Sequence, residues 1–504
     1  MTATGDRTLA APTRSWAWAL GVLALGLAMI SGDSLWIDEL ATTRISDVDR
    51  FSDAIHATVT SPQSEAQMPG YVLYAWAWEK LLGGDEWRLR LSNLPWLALA
   101  AWSLAGVGAS LGLRGLVVAL AVQPFLWAYA NELRPYCMQI GGGALSLWAM
   151  VRCVERRGAG ADWAVALMGG AWIMCAASML GALATFVIYL ALAVVAIRNR
   201  WPVGRAAALV LLAGNLALLG LGGYYARTLL GDAGGAKLWS VGLANIALVF
   251  YEFLGFFGLG PGRDAIRDAA RGGVGPLAAL FRPYAPGLAA LAASYVLVTV
   301  TQLKRIRHAG PSESSPIAAM AAAATLGAAA MLLALAAVAD WPFWGRHLAP
   351  VFPFWVLLAA LACRAAWTRA AGRVAVVALM AMLGASSLVQ RFHSEHRHDD
   401  YRGASAVLNE ALERGEKVWW VAHELDHSKL YGASFRDTAA NELLVPLRNP
   451  QPKDVASAAP PAVVIISKRD IYDVHGAVDA FLRDGGYRLT EQLKAFQVWR
   501  RAAP

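Results

Sequence analysis

Charged residues are scarce in this chain, at 16% of 504 residues, where a soluble domain carries about 25%. That shortfall, with 57% hydrophobic residues and a mean hydropathy of +0.43, excludes a soluble globular protein and points to a polytopic membrane protein. Cysteine is scarce as well. The four present (Cys137, Cys153, Cys175 and Cys363) are scattered in or beside apolar runs. They form no metal-ligand spacing and no disulfide framework. No internal repeat is visible. The net charge of +8 is not a nucleic-acid signal, because the basic residues cluster in short loops between apolar runs, as the positive-inside bias predicts. The first apolar run follows Arg7 and Arg14, lacks a small-residue cleavage site, and precedes many more. It is expected to be a retained anchor rather than a signal peptide.

What is abundant is apolar length. A hydrocarbon core of ~30 Å needs about 20 mostly apolar residues per helix. That ruler gives about eleven spans, near 16–30, 91–111, 115–130, 137–152, 162–179, 181–197, 205–222, 286–303, 316–339, 348–363 and 374–390. Arg114, Arg152/Arg156/Arg157, Arg198/Arg200/Arg205, Lys304/Arg305/Arg307 and Arg364/Arg369/Arg373 fall on one side, which is then cytoplasmic. The segments 31–90, 131–136, 223–285 and 340–347 and everything after about 391 face outward. Gln67–Leu82 is rich in Trp and Tyr and short for a span, so it is expected to lie along the outer surface. The sequence therefore predicts a transmembrane region over 1–390, with the outer loop 31–90 carrying its carboxylates, and a soluble α/β domain over 391–504. In that domain Tyr401–Arg414 predicts a helix, Lys417–Ala422 and Ala462–Ser467 strands with a helix between them, Val474–Asp484 a helix, and Tyr487–Arg500 a strand pair.

Five groups of residues bear on chemistry. Asp38 and Glu39, in SLWIDELATT, sit a few residues after the first span, where carboxylates are costly and usually functional. One of them can act as a general base; equally, the pair can cap a short helix or pair with Arg44 or Arg50. Arg134, in Asn131–Tyr136, is a cation on the less expected face. It asks for a phosphate, or for an internal partner in Glu132 or Glu86. Arg346, in Trp344–His347, is either another phosphate ligand or a snorkelling arginine. The charges of Gly83–Arg90 are expected to hold the surface helix against the second span. Finally, His423–His427 matches H-E-x-x-H, but Lys417–Ala422 reads as a strand running straight into it, and Asp426 puts a charge between the histidines. That context argues against a zinc protease. His393, His396 and His398 read as a polar collar beside the membrane.

The order of these motifs resembles the GT-C membrane glycosyltransferases of the protein-O-mannosyltransferase and aminoarabinose-transferase type, over about residues 15–400. The resemblance rests on W-x-D-E (Trp36, Asp38, Glu39), a proline-aromatic surface helix (Pro69, Tyr71), G-x-x-E-x-x-x-R-L (Gly83, Glu86, Arg90), E-x-R-P-Y (Glu132, Arg134, Pro135, Tyr136) and R-[HY]-L-x-P (Arg346, His347, Pro350). Where the family often has His-Pro-Pro, this chain has Gln67-Met68-Pro69. The resemblance implies a GT-C fold and an inner-membrane enzyme with a cytoplasmic N-terminus and a periplasmic C-terminal domain. Its co-substrate would be a polyprenyl-phosphate-linked hexose or pentose, and its acceptor an envelope glycan, lipid or protein. Asp38 maps onto the base and Glu39 beside it; Arg134, Arg346, Arg90, His347 and Tyr136 map to the donor phosphate; Trp36, Pro69, Tyr71 and Glu86 map to the acceptor or surface helix. Nothing in the sequence supports a divalent metal. The rival class is a lipid-linked sugar flippase or other transporter, which would place ionisable residues near mid-membrane and show paired repeats.

Overall fold

The computed structural model describes residues 11–61, 64–230, 242–308, 315–339, 343–423, 431 and 442–502. The chain divides into two compact units: Met1–Ile30, Ser52–Tyr74 and Arg90–His396 form one, and Ser31–Phe51, Ala75–Leu89 and Arg397–Pro504 form the other. Two stretches of the first outer loop, however, group with the C-terminal residues rather than with the spans.

The first unit is helical. Each predicted span falls on helix, and among the described residues eight helices are long and apolar enough to cross a membrane. Ser15–Met29, Asp162–Ala177 and Ala244–Phe253 are apolar but shorter, so length alone does not reach the expected count of about eleven. The span predicted over 115–130 is broken. Its helices are Leu116–Ala121 and Pro124–Ala130, because Pro124 has no N–H to donate and forces Gln123 into an extended conformation (ψ 122°). The Trp127 indole N–H donates to the Ala121 carbonyl at 2.7 Å, which satisfies an acceptor freed at the break. Helix Pro69–Leu82 has 14 residues, below the spanning length. Helices Phe51–Thr60, Leu243–Phe253, Arg263–Arg271 and Val274–Phe281 were not foreseen.

Helix Tyr136–Glu155 is the centre of this unit, with 78% of its apolar window buried against 6% for Arg205–Thr228. The latter leaves Leu209, Leu212, Leu216 and Leu219 exposed, as an apolar face meeting lipid should. Three glycines make the central position workable. A Cβ on Gly141 would come within 2.9 Å of the Trp96 carbonyl oxygen, and one on Gly142 within 2.8 Å of the Gly170 oxygen. On Gly143 it would overlap the Pro350 carbonyl. The Pro350 segment is a 3-10 turn, Gly345–Val351, so Gly143 is what lets Arg346 and His347 sit against the helix that begins at Tyr136.

The second unit contains a five-stranded sheet in the order β2-β1-β3-β5-β4, with β1 Val418–Val421, β2 Leu444–Pro446, β3 Val463–Ser467, β4 Tyr487–Leu493 and β5 Phe496–Arg501. Strand β1 is parallel to β2 and β3, and β5 is antiparallel to β3 and β4. The parallel strands VWWV and VVIIS are buried at every residue, as continuous apolar runs covered on both faces require. Strand β4 is an exposed edge. Helix Pro452–Ser457 lies between the two predicted strands, where a helix was expected, whereas strand β2 was not foreseen. Strand β1, read as running straight into the H-E-x-x-H motif, ends at Val421, two residues short of His423; residues 424–430 lie outside the described residues.

Replacing Gly143 by Ala should lower the thermal unfolding midpoint in detergent, at a cost of about 1–3 kcal/mol for overpacking. Gly21→Ala is the control. It lies in helix Ala11–Met29 with open space around it, and it should hold or raise stability by up to about 1 kcal/mol.

Candidate functional site

In the helical unit the candidate residues gather where Asn131–Pro135 links two helices. Asn93 Nδ2 donates to the carbonyls of Ala130 and Glu132 at 3.0 and 2.7 Å, and Asn131 Nδ2 donates to Met29 and Trp127 at 3.0 and 2.9 Å. These bonds fix a loop that would otherwise carry unpaired buried carbonyls.

The Arg134 guanidinium is met by two groups that the sequence did not single out. Its Nη1 lies 3.0 Å from Glu65 Oε1 and its Nη2 donates to Ser64 Oγ at 3.0 Å, with the Arg134 and Glu65 side chains 5% and 1% exposed. Glu132 instead meets Arg263 at 3.5 Å. Arg263 also donates through Nε to Glu252 Oε1 at 2.8 Å and through Nη2 to the Tyr129 hydroxyl at 3.4 Å. Partial burial disfavours the Arg263 charge, but Glu252, Tyr129 and Glu132 outweigh it and hold the guanidinium above the usual arginine range. Its guanidinium also lies over the Phe257 ring, 5.3 Å from the centroid. Tyr129, Glu252, Phe257 and Arg263 line a pocket with Phe125 and Gln390.

The Glu252 carboxylate packs against Gly345, where a Cβ would come within 2.7 Å of Oε2. The E-x-R-P-Y and W-G-R-H segments therefore both border this cluster. Tyr136 stacks edge-on against Tyr129 at 4.9 Å. Arg346 is half-buried, with its guanidinium 5.8 Å from the Trp344 ring centroid. His347 is buried, and its Nδ1 accepts from the Trp344 N–H at 3.3 Å. Arg90 and Tyr71 are completely buried, and Pro69 opens the helix that carries Tyr71.

The carboxylate pair belongs to the other unit. Asp38 and Glu39 lie in the first turn of helix Ile37–Ser46. Glu39 is fully buried, and its Oε2 accepts from the Trp36 N–H at 3.1 Å, so it caps its own helix. Asp38 is partly exposed. Trp36 stacks on His398 at 5.7 Å with planes 12° apart, which takes His398 out of the expected collar. Glu86 does not pair within its own stretch; its Oε1 accepts from Arg402 at 2.9 Å through Nε, with Nη2 at 2.6 Å.

The residues missed from sequence are Glu65, Glu252, Arg263 and Arg402. Glu252 was the most findable, as a lone carboxylate in the apolar run LVFYEFLGFF. Among the described residues no three His, Cys, Asp or Glu side chains come together as a metal-binding group.

No family model and no curated protein matches the chain. Among solved structures it is similar to ArnT from Cupriavidus metallidurans bound to undecaprenyl phosphate, at 13% identity and a TM-score of 0.51, covering 97% of this chain and 98% of that one. The fold is GT-C. The GT-C neighbours include ArnT in the apo state (13% identity, TM-score 0.42, 97% of each chain). They also include the arabinofuranosyltransferase AftD from Mycobacteria, at 12% identity and a TM-score of 0.44, covering 97% of this chain and 40% of that one.

Breaking a buried ion pair by neutralising one partner typically costs about 3–5 kcal/mol, whereas replacing both partners by apolar groups is often neutral. Glu65→Gln should therefore destabilise the protein strongly in thermal unfolding. The double variant Glu65→Leu with Arg134→Met should recover most of the loss.

Proposed function

We propose that this protein is a membrane glycosyltransferase that moves a hexose or pentose from a polyprenyl-phosphate-linked donor to an extracytoplasmic envelope glycan, lipid or protein. The carrying observation is a GT-C fold over 97% of the chain, in likeness to a protein solved with undecaprenyl phosphate bound. The setting we infer is the cytoplasmic membrane, with the N-terminus inside and the C-terminal domain outside. A polyprenyl-phosphate sugar keeps its tail in hydrocarbon and its anomeric carbon at the interface. Residues at the outer ends of spans suit that donor better than they suit translocation through mid-membrane.

Asp38 is assigned as the base. It takes the proton of the acceptor hydroxyl, whose oxygen attacks the anomeric carbon from the face opposite the phosphate. The carbon–oxygen bond to phosphate breaks with its electron pair, the lipid phosphate leaves, and the configuration inverts. Glu39, committed to its helix cap, orients rather than reacts, which argues against a retaining double displacement.

The leaving phosphate goes from one negative charge toward two, and a positioned cation stabilises that change. Exposure ranks the arginines. Arg90 is completely buried and Arg134 is matched by Glu65, so both form the background. Arg263 already faces two carboxylates. Arg346, half-buried beside Trp344 and His347, is the assigned phosphate ligand. Trp36, Pro69, Tyr71 and Glu86 remain assigned to shaping the acceptor side and its surface helix.

Asp38→Asn should abolish transfer of label from a polyprenyl-phosphate sugar while leaving donor binding within about twofold; equal transfer by both proteins would remove Asp38 from the chemistry. Arg346→Gln should lower both transfer and donor binding. Losing a charge-assisted bond of about 1.5–3 kcal/mol should weaken binding of labelled undecaprenyl phosphate roughly 10- to 100-fold.

A further inference from the structure

The segment that delivers Asp38 is gripped at successive residues by side chains of the C-terminal domain, all within one compact unit. Arg402 Nη2 donates to the Gly32 carbonyl at 2.6 Å, and the Arg402 backbone N–H donates to Ser34 Oγ at 3.0 Å. The Leu35 N–H donates to the Tyr431 hydroxyl at 2.9 Å, and that hydroxyl lies 3.4 Å from Ser34 Oγ. Trp36 stacks on His398. Ile37 packs on the apolar core that holds Trp419, Val464 and Tyr472. The grips are themselves anchored: Arg402 is braced by Glu86, and the Tyr431 carbonyl accepts from Asn409 Nδ2 at 3.0 Å. Asp38 is the next residue.

We infer that Arg402 and Tyr431 are positioning residues for the reaction, fixing the strap Gly32–Ile37 so that Asp38 is presented in one geometry. This rests on the reading of Asp38 as base. Two physical features favour it. A catalytic carboxylate on a partly exposed first turn needs its backbone fixed from outside, because misplacement by about 1 Å can cost ~100-fold in rate. A tyrosine hydroxyl is also a dependable acceptor here. Burial, the largest influence, raises Tyr431 above the usual tyrosine range, so it stays a neutral hydroxyl whose oxygen accepts from the Leu35 N–H. Arg402 adds a cation that cannot be deprotonated and reaches a carbonyl and a carboxylate at once. The C-terminal domain is on this account part of the catalytic apparatus through the strap, without touching substrate.

The test uses the full chain in lipid nanodiscs, comparing wild type, Tyr431→Phe, Arg402→Gln, Arg402→Lys and Asp38→Asn. Hydrogen–deuterium exchange of the peptide covering residues 32–40 reads the grip without needing a substrate. Tyr431→Phe and Arg402→Gln should exchange there about tenfold faster or more, with Arg402→Lys intermediate and the sheet strands unchanged. Transfer from a panel of labelled undecaprenyl-phosphate sugars to a crude envelope fraction then reads the consequence. For both variants kcat should fall roughly 10- to 100-fold, with undecaprenyl phosphate affinity within about twofold of wild type. Unchanged exchange over 32–40 in both variants overturns the proposal. So does faster exchange with unaltered kcat, or a kcat loss matched by an equal loss of undecaprenyl phosphate binding. If Asp38→Asn transfers as wild type does, the base reading fails instead, whatever the exchange shows.

Discussion

The structure depends on matching each charge that leaves water with a partner of opposite sign. An uncompensated charge in a low-dielectric interior costs several kcal/mol, and this chain has few charges to spend. Glu65 takes Arg134, Glu132 and Glu252 share Arg263, Glu86 takes Arg402, and Asp399 takes Lys468 at 2.6 Å. The same economy appears at helix ends. Arg391 donates to the Met29 and Ile30 carbonyls at 2.6 and 3.1 Å, where the helix dipole favours a cation. Within the helical unit, Glu65, Glu132 and Glu252 are all committed to arginines.

This explains what could be read from the sequence and what could not. The spans were legible because apolar length is a local property: Ala370–Phe392 announces itself without reference to any other residue. The sheet strands VWWV and VVIIS were legible for the same reason. The break at Pro124 was legible in principle, and the apolar run on both sides outweighed it. The pairings were not legible, because they join residues far apart in sequence. Arg134 finds Glu65 across 69 positions, Arg263 finds Glu132 across 131, and Arg402 finds Glu86 across 316. Composition gives no reason to prefer these over the nearer carboxylates. The division of the outer loop between the two units escaped for a related reason. It is set by Arg402, Tyr431 and His398 reaching back to residues 32–36, contacts with no local signature.

The candidate site changes character once pairing is known. From sequence, Arg134 and Arg346 stood as equals and Arg90 behind them. Arg134 is matched by Glu65 and Arg90 is completely buried, while Arg346, the proposed phosphate ligand, is half-buried on a turn seated against Gly143. Glu39, which looked like a partner in chemistry for Asp38, is occupied in holding its own helix. On the proposed reading the two carboxylates divide the labour, Asp38 for proton transfer and Glu39 for architecture, which fits a single displacement.

The central claim is that sugar leaves a polyprenyl phosphate on this protein and is bonded to an acceptor. The most direct measurement follows radiolabel from undecaprenyl-phosphate sugars presented to the purified wild-type protein in liposomes with an envelope acceptor fraction. The anomeric configuration of any product is then determined by NMR. The account predicts label covalently joined to acceptor with inverted configuration. Label that crosses the bilayer while still attached to undecaprenyl phosphate, with none joined to acceptor, would contradict it and identify a transporter.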